Sequence, residues 1–281
     1  ERARRQCEFP LDTLWATYCH YGYTPGRTAD VLKWHSWTNG PTGETLLRLL
    51  AKRDFGPGTE DQVLAAWDHF TRGIGHFPYS NGVNKYPGPL QTGPSQPLFL
   101  DPEEKAMGSA RAWQNDLGWC SPWGPELTAR CFGSMVEEFD QGLECLRAAR
   151  ETATDHGKAE LDREIGVAEI MKRSAVSMIH MIRWIPLRDA YAAASQGPEK
   201  DAIRKKLIAV GRDELANAKG AMAFAEADSR LGTASNGNGS PGRGGLFTPA
   251  LISKKIGLLE DTLRRRLSAG EVSERNLTQN R

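Results

Sequence analysis

The chain has 281 residues, 39% hydrophobic and 25% charged. That is enough apolar material for a buried core, and it excludes a chain disordered by composition. Thirty-six basic and thirty-five acidic residues leave a formal charge of +1. This argues against a nucleic-acid partner held by overall charge, and no apolar run approaches the ~18 residues of a membrane span.

The chain opens Glu1-Arg2-Ala3-Arg4-Arg5, with neither an initiator Met nor a signal peptide, and is read as a fragment of a longer protein. Residues 1–124 hold most of the prolines and seven of the eight tryptophans. Within them Leu11–Tyr21 is expected to form a short helix. Val31–Trp37 is strand-like, and Asn39-Gly40-Pro41 stops it. Thr45–Phe55 is predicted helical, with Leu46, Leu47, Leu49 and Leu50 apolar and Gly56-Pro57 at its end. Asp61–Ile74 is a second helix, with Val63, Leu64, Trp67 and Phe70 on one side. Pro78–Pro102 is too rich in proline for a helix or a central strand. It reads as an ordered irregular loop, for which Phe77, Tyr79, Tyr86, Leu98 and Phe99 offer packing, with a linker as the alternative.

From Pro125 the character changes to long Ala-rich, charge-rich stretches. Pro125 suits a first helical turn. Leu127, Cys131, Met135, Phe139 and Leu143 then recur every four residues on one face. His156-Gly157 marks a plausible break. The next helix carries Leu161, Ile165, Ala168, Ala175, Ile179 and Ile182 to Pro186, which removes a bond to the Ile182 carbonyl and is expected to kink or end it. Lys200–Asp228 is a third helix of this half. Leu251, Ile252, Ile256, Leu259, Leu263 and Leu267 mark a fourth, capped by Thr248 with Pro249 first in the helix. Each stripe needs a partner. The fold class is therefore mainly α: a helical bundle over 125–270, preceded in 1–124 by an irregular Trp/Pro-rich segment with one or two strands, and followed by a polar tail over 271–281.

Most motif-like strings have plain structural explanations. Asp54-Phe55-Gly56 spells a kinase triplet without the rest of a kinase signature, and fits a helix end with Phe55 inward. Gly232–Gly245 lacks the spacing of a phosphate loop and reads as an interhelical loop. The histidines show no HExxH or Glu-x-x-His pattern, and His180 fits a bonded core or boundary position. Cysteines 7, 19, 120, 131 and 145 form no CxxC pair, so neither a zinc ribbon nor a disulfide scaffold is indicated. No cofactor and no metal are expected. Asn276-Leu277-Thr278 is a glycosylation triplet in the polar tail.

The aromatics carry the sharper signal. Trp34, His35 and Trp37 lie on the strand-like segment, and Trp113, Trp119 and Trp123 cluster beside Asn115 and Asp116. Indole faces stack on the apolar faces of sugar rings while neighbouring Asn and Asp bond hydroxyls. Equally, large aromatics fill the junction between an irregular region and a bundle.

Four blocks then resemble, in order, a family of uncharacterised bacterial glycoside-hydrolase-like proteins. Trp34–Leu47 resembles its "SWT-x-G-G-x-P-S-x-N-L" segment, and Leu64–Tyr79 its "AW-x-x-FS-x-A-x-x-x-FP" segment. Gly93–Phe99 resembles "GPANPL". Asp228–Gly232, Phe247–Pro249 and Lys255–Ile256 together resemble "DSRLG…YTP…KI". The resemblance covers about residues 31–265 and implies the end of a catalytic (β/α)8 barrel followed by a helical support domain. It implies that Trp34–Thr38 is the last barrel strand and that Trp37, Thr38 and Asn39 line a sugar site at its C-terminal end. Pro41 stands where the family pattern has a second Gly after Gly40. With the aromatic cluster, the candidate substrate-binding residues are Trp34, Trp37, Thr38, Asn39, Trp113, Asp116 and Trp119. The catalytic carboxylates are expected outside this chain, in an N-terminal barrel of the same polypeptide. Glu44 and Asp116 read instead as a solvated helix start and a loop cap. The partner is then a carbohydrate; the alternative is a non-catalytic helical protein-interaction module.

Overall fold

The structure is a computed structural model that describes residues 30–31, 33–34, 37, 39–79, 92–103, 115–228, 231 and 248–267. Among the described residues the fold is mainly helical, with six helices and no strand. They are α1 (Gly43–Phe55), α2 (Glu60–Gly75), α3 (Pro125–Thr152), α4 (Asp155–Ala193), α5 (Pro198–Ala227) and α6 (Pro249–Asp261). A π-helical turn, Thr262–Leu267, extends α6. Each of α2 to α6 packs against the helix before it, so the apolar stripes meet in chain order. One core cluster runs from Ala51, Phe55 and Val63 through Phe132, Met135 and Phe139 to Met178, Trp184 and Leu207.

Close approach of α2 to α3 rests on a reciprocal fit of small and large residues. Phe139 lies against Gly73, where a Cβ would come within 2.8 Å of its ring, and Phe70 fills the space over Gly142. The two rings sit 5.0 Å apart. At the start of α4, Gly157 meets the Phe55 carbonyl so closely that no side chain fits there, which seats the end of α1 on α4. The break between α3 and α4 therefore falls at Ala153–Thr154 rather than at His156-Gly157. Thr154 caps α4 by accepting from the Gly157 N–H at 3.2 Å.

Several local signals have the expected outcome. Pro125 and Pro249 stand in first helical turns, and the Thr248 hydroxyl accepts from the Leu251 N–H at 3.4 Å. Gly56 ends α1 with φ 98°, and Phe55 is fully buried. At Pro186 the helix does not end: α4 continues to Ala193. Trp184, Ile185 and Arg188, on either side of the proline, are all buried, and that packing outweighs one lost backbone bond.

The strand expected over Val31–Trp37 is corrected. Asp30, Val31, Lys33 and Trp34 are helical. Strand propensity needs a neighbouring strand to pair with, and none exists among the described residues. Asp30 instead forms an i,i+3 ion pair with Lys33 at 3.6 Å and a 2.8 Å bond to Arg53 on α1. The expected helix over Leu11–Tyr21, the Gly232–Gly245 run and the 271–281 tail lie outside the described residues.

Part of the Pro78–Pro102 loop is described. Thr92–Phe99 is an irregular strap, opened by the 3-10 turn Gly93–Ser95, and every residue of it is buried. It lies against α4, α5 and α6. A buried irregular backbone must satisfy its own polar groups. Here Ser95 Oγ donates to the Thr92 carbonyl at 2.7 Å, Thr92 Oγ1 to Gln96 Oε1 at 2.8 Å, and Trp184 Nε1 to the Phe99 carbonyl at 2.8 Å.

Candidate functional site

Two regions have the chemistry to be considered: an aromatic turn at the surface and a polar cluster in the core. The turn is built by the backbone. The Trp37 N–H donates to the Trp34 carbonyl at 3.2 Å, and the Gly40 N–H to the Trp37 carbonyl at 3.3 Å. Asn39 takes a positive φ of 61°, which Asn tolerates better than most residues. A Cβ at Gly40 would lie 2.7 Å from the Trp34 carbonyl oxygen, so glycine is required for the turn to close. Trp34 and Trp37 are 39% and 70% exposed, with ring centroids 6.0 Å apart and planes tilted by 47°. The Arg53 guanidinium, hydrogen-bonded to Asp30, holds that carboxyl below the ordinary carboxylate range and ties the segment to α1.

The structure thus brings Trp34, Trp37 and Asn39 together on one exposed turn. Thr38 and Trp113 lie outside the described residues. Asp116 is exposed and its Oδ1 accepts from the Gly118 N–H at 2.7 Å. Trp119 is corrected: it is 3% exposed and packs on Phe132 at 6.4 Å in the core, so it has no open face for a ligand. Glu44, in the first turn of α1, accepts from Arg48 Nε at 2.8 Å.

Apart from His180, which is bonded and buried as expected, the core cluster was not expected from the sequence. Glu214 on α5 and Lys255 on α6 are fully buried and form an ion pair. Lys255 Nζ also donates to the Pro94 carbonyl of the strap at 2.8 Å. Ser177 Oγ donates to Glu214 Oε1 at 2.6 Å, His180 Nδ1 lies 2.5 Å from Oε2, and Asn217 Nδ2 bonds Ser177 Oγ at 3.0 Å. Burial pushes the Glu214 carboxyl up, but the Lys255 ammonium and His180 together hold it below the ordinary value. An ionised Glu214 only accepts, so His180 Nδ1 carries the proton in that bond. Burial pulls the Lys255 ammonium below its ordinary value, against the opposing pull of Glu214.

Ser, His and Glu converge here, but not as a nucleophilic triad. Both Ser177 and His180 bond the carboxylate, and among the described residues no hydrogen bond joins the two side chains. A serine nucleophile needs the imidazole as its base and a path to substrate. Ser177 is 1% exposed. The cluster is a structural network that joins α4, α5, α6 and the strap. A cavity of about 80 Å³ beside it, bordered by Phe99, Lys255, Leu259, Thr262 and Arg266, falls well below the ~300–1,000 Å³ of small-molecule sites.

Cys120 is no better a nucleophile, because burial pushes its thiol up to about 11. Among the described residues no three of His, Cys, Asp and Glu converge as metal ligands would, and no helix is long and apolar enough to cross a membrane.

Compared with known proteins, the chain matches no family model, no curated protein and no solved structure.

Proposed function

We propose that this chain is the C-terminal portion of a glycoside-hydrolase-like carbohydrate-active protein. The Trp34–Trp37 turn forms one wall of its sugar site, and the helices brace that wall. The observation that carries this reading is the exposed indole pair. Large aromatics are normally drawn into cores and interfaces, yet this pair stands on a closed turn at the surface. The same segment, Trp34–Leu47, is the one that resembles the sugar-site segment of that family. Glycoside hydrolysis needs two carboxylates flanking the scissile bond; on this reading they come from an N-terminal barrel of the same polypeptide.

Calorimetric titration of a glycan panel into the wild-type chain and Trp37→Ala tests the reading. Binding by the wild type and its loss in the variant are expected, together with no turnover of aryl glycosides by the chain alone. Robust turnover, or glycan binding indifferent to Trp37, overturns it.

A second reading, a non-catalytic protein-interaction module, is favoured by a different surface. Tyr79 and Trp123 are 57% and 47% exposed, the Trp123 Nε1 donates to the Tyr79 carbonyl at 3.2 Å, and Leu127, one turn on, is 37% exposed. If no glycan binds and Trp123→Ala abolishes capture of a protein partner, this second reading replaces the first.

A further inference from the structure

The two exposed indoles are not equivalent. Centroids 6.0 Å apart lie within the ~4.5–7 Å of aromatic pairs in contact, so each ring covers part of the other. Trp37 nevertheless stays 70% exposed, against 39% for Trp34. The tilt of 47° means that the pair does not form one flat shelf, and a single sugar ring cannot lie flat on both. The backbone bonds from the Trp37 and Gly40 N–H groups, with Gly40 pressed against the Trp34 carbonyl, fix where the two side chains start. A large aromatic set in advance at the surface binds with little further loss of conformational freedom.

We propose that Trp37 is the single stacking platform of this sugar site, that Trp34 is a positioning residue behind it, and that the site takes β-gluco- or β-galactopyranosides in preference to α-mannopyranosides. The inference rests on the carbohydrate reading above and names its substrate class. One flat apolar platform selects by the C–H patch laid on it. A β-glucoside has axial hydrogens on both faces and equatorial oxygens. A β-galactoside keeps one such face intact, with its axial O4 on the other. A methyl α-mannoside carries an axial oxygen on each face, O1 on one and O2 on the other, so neither face can lie flat on the indole.

The test is saturation-transfer NMR and titration with methyl β-glucopyranoside, methyl β-galactopyranoside and methyl α-mannopyranoside. The proteins are the full chain, Trp37→Ala, Trp34→Ala and Trp34→Phe, each shown by circular dichroism to be folded like the wild type. Transfer is expected to the axial ring hydrogens of the two β-glycosides, with clearly weaker transfer to the mannoside. Trp37→Ala is expected to abolish binding. Trp34→Ala should weaken it about 2- to 10-fold, the size of an aromatic-pair contribution, and Trp34→Phe should restore most of it. Equal binding of all three sugars overturns the substrate class. Loss of binding in Trp34→Ala as complete as in Trp37→Ala, without rescue by phenylalanine, overturns the division of roles while sugar binding stands. If the folded wild-type chain binds none of the three, the carbohydrate reading itself fails, and this inference with it.

Discussion

Replacing Lys255 by methionine is the sharpest test of how the core is held. Methionine keeps the unbranched length of the side chain and removes the charge. Lys255 is fully buried, pairs with the fully buried Glu214 and donates to the Pro94 carbonyl. Without the ammonium, Glu214 keeps Ser177, His180 and a 3.3 Å bond from Asn217 Nδ2, but loses the cation whose attraction offsets its desolvation. Removing one partner of a buried pair costs about 3–5 kcal/mol, a large share of the ~5–15 kcal/mol that holds a typical fold. Urea unfolding at neutral pH should show that loss. The double variant Glu214→Gln/Lys255→Met should recover much of it, because an uncharged amide still bonds Ser177 and His180 and leaves no lone ion. The deficit also has a pH signature. In the wild type the Glu214 carboxyl sits below its ordinary 4.5. Its contribution is therefore complete above that value and is lost as the pH falls through the lower folded-state value. In Lys255→Met, burial without the ammonium raises the folded-state value above the unfolded one, so the folded protein takes up the proton first. The gap to wild type should then narrow as the pH drops towards about 5. A single variant within about 0.5 kcal/mol of wild type, the range of ordinary surface changes, would show that Lys255 is not held in this pair.

Three other substitutions probe the helical frame, each read by thermal or urea unfolding. Gly157→Ala places a methyl group on the Phe55 carbonyl and should destabilise by about 1–3 kcal/mol or more; a neutral result would mean that α1 does not seat on α4 as described. Gly133→Ala, inside α3 with nothing within 4 Å of the new methyl, should stabilise by about 0.5–1 kcal/mol. Thr248→Ala removes the α6 cap, whose bond is long at 3.4 Å, and should fall at the low end of the ~0.5–2 kcal/mol range for such caps.

What could be seen in the sequence follows from where each signal originates. Helix starts at Pro125 and Thr248-Pro249, and the end at Gly56, are set by local chemistry within a few residues, and the structure has them. The segment at Asp30–Trp34 is different. Its Val and Trp content favours a strand, but strand formation depends on a partner elsewhere, and what the segment finds instead is Arg53 on α1. The strap Thr92–Phe99 was legible as ordered and irregular. Its complete burial was not, because that depends on three helices that come later in the chain.

Glu214 and Lys255 show where a closer reading of periodicity succeeds. Charged residues are usually assigned to the solvated back of a helix, yet both stand on the buried stripe itself. On α5 the buried positions Leu207, Gly211, Glu214, Ala218, Ala221 and Ala225 recur every three or four residues, and on α6 Ile252, Lys255 and Leu259 do the same. A charge at a stripe position is either an error in placing the stripe or half of a buried pair, since an unpaired ion there would be prohibitively costly. Two such positions of opposite sign, on consecutive helices that must pack together, predict each other. The same argument reaches His180 and Ser177, which share the inward face of α4 with Met178, Met181 and Trp184. It does not reach Trp34 and Trp37, which belong to no stripe. Their meaning lies in being left outside a core that had room for Trp119 and Trp184, and for that reason the surface turn, rather than the buried network around Glu214, is where a ligand should be sought.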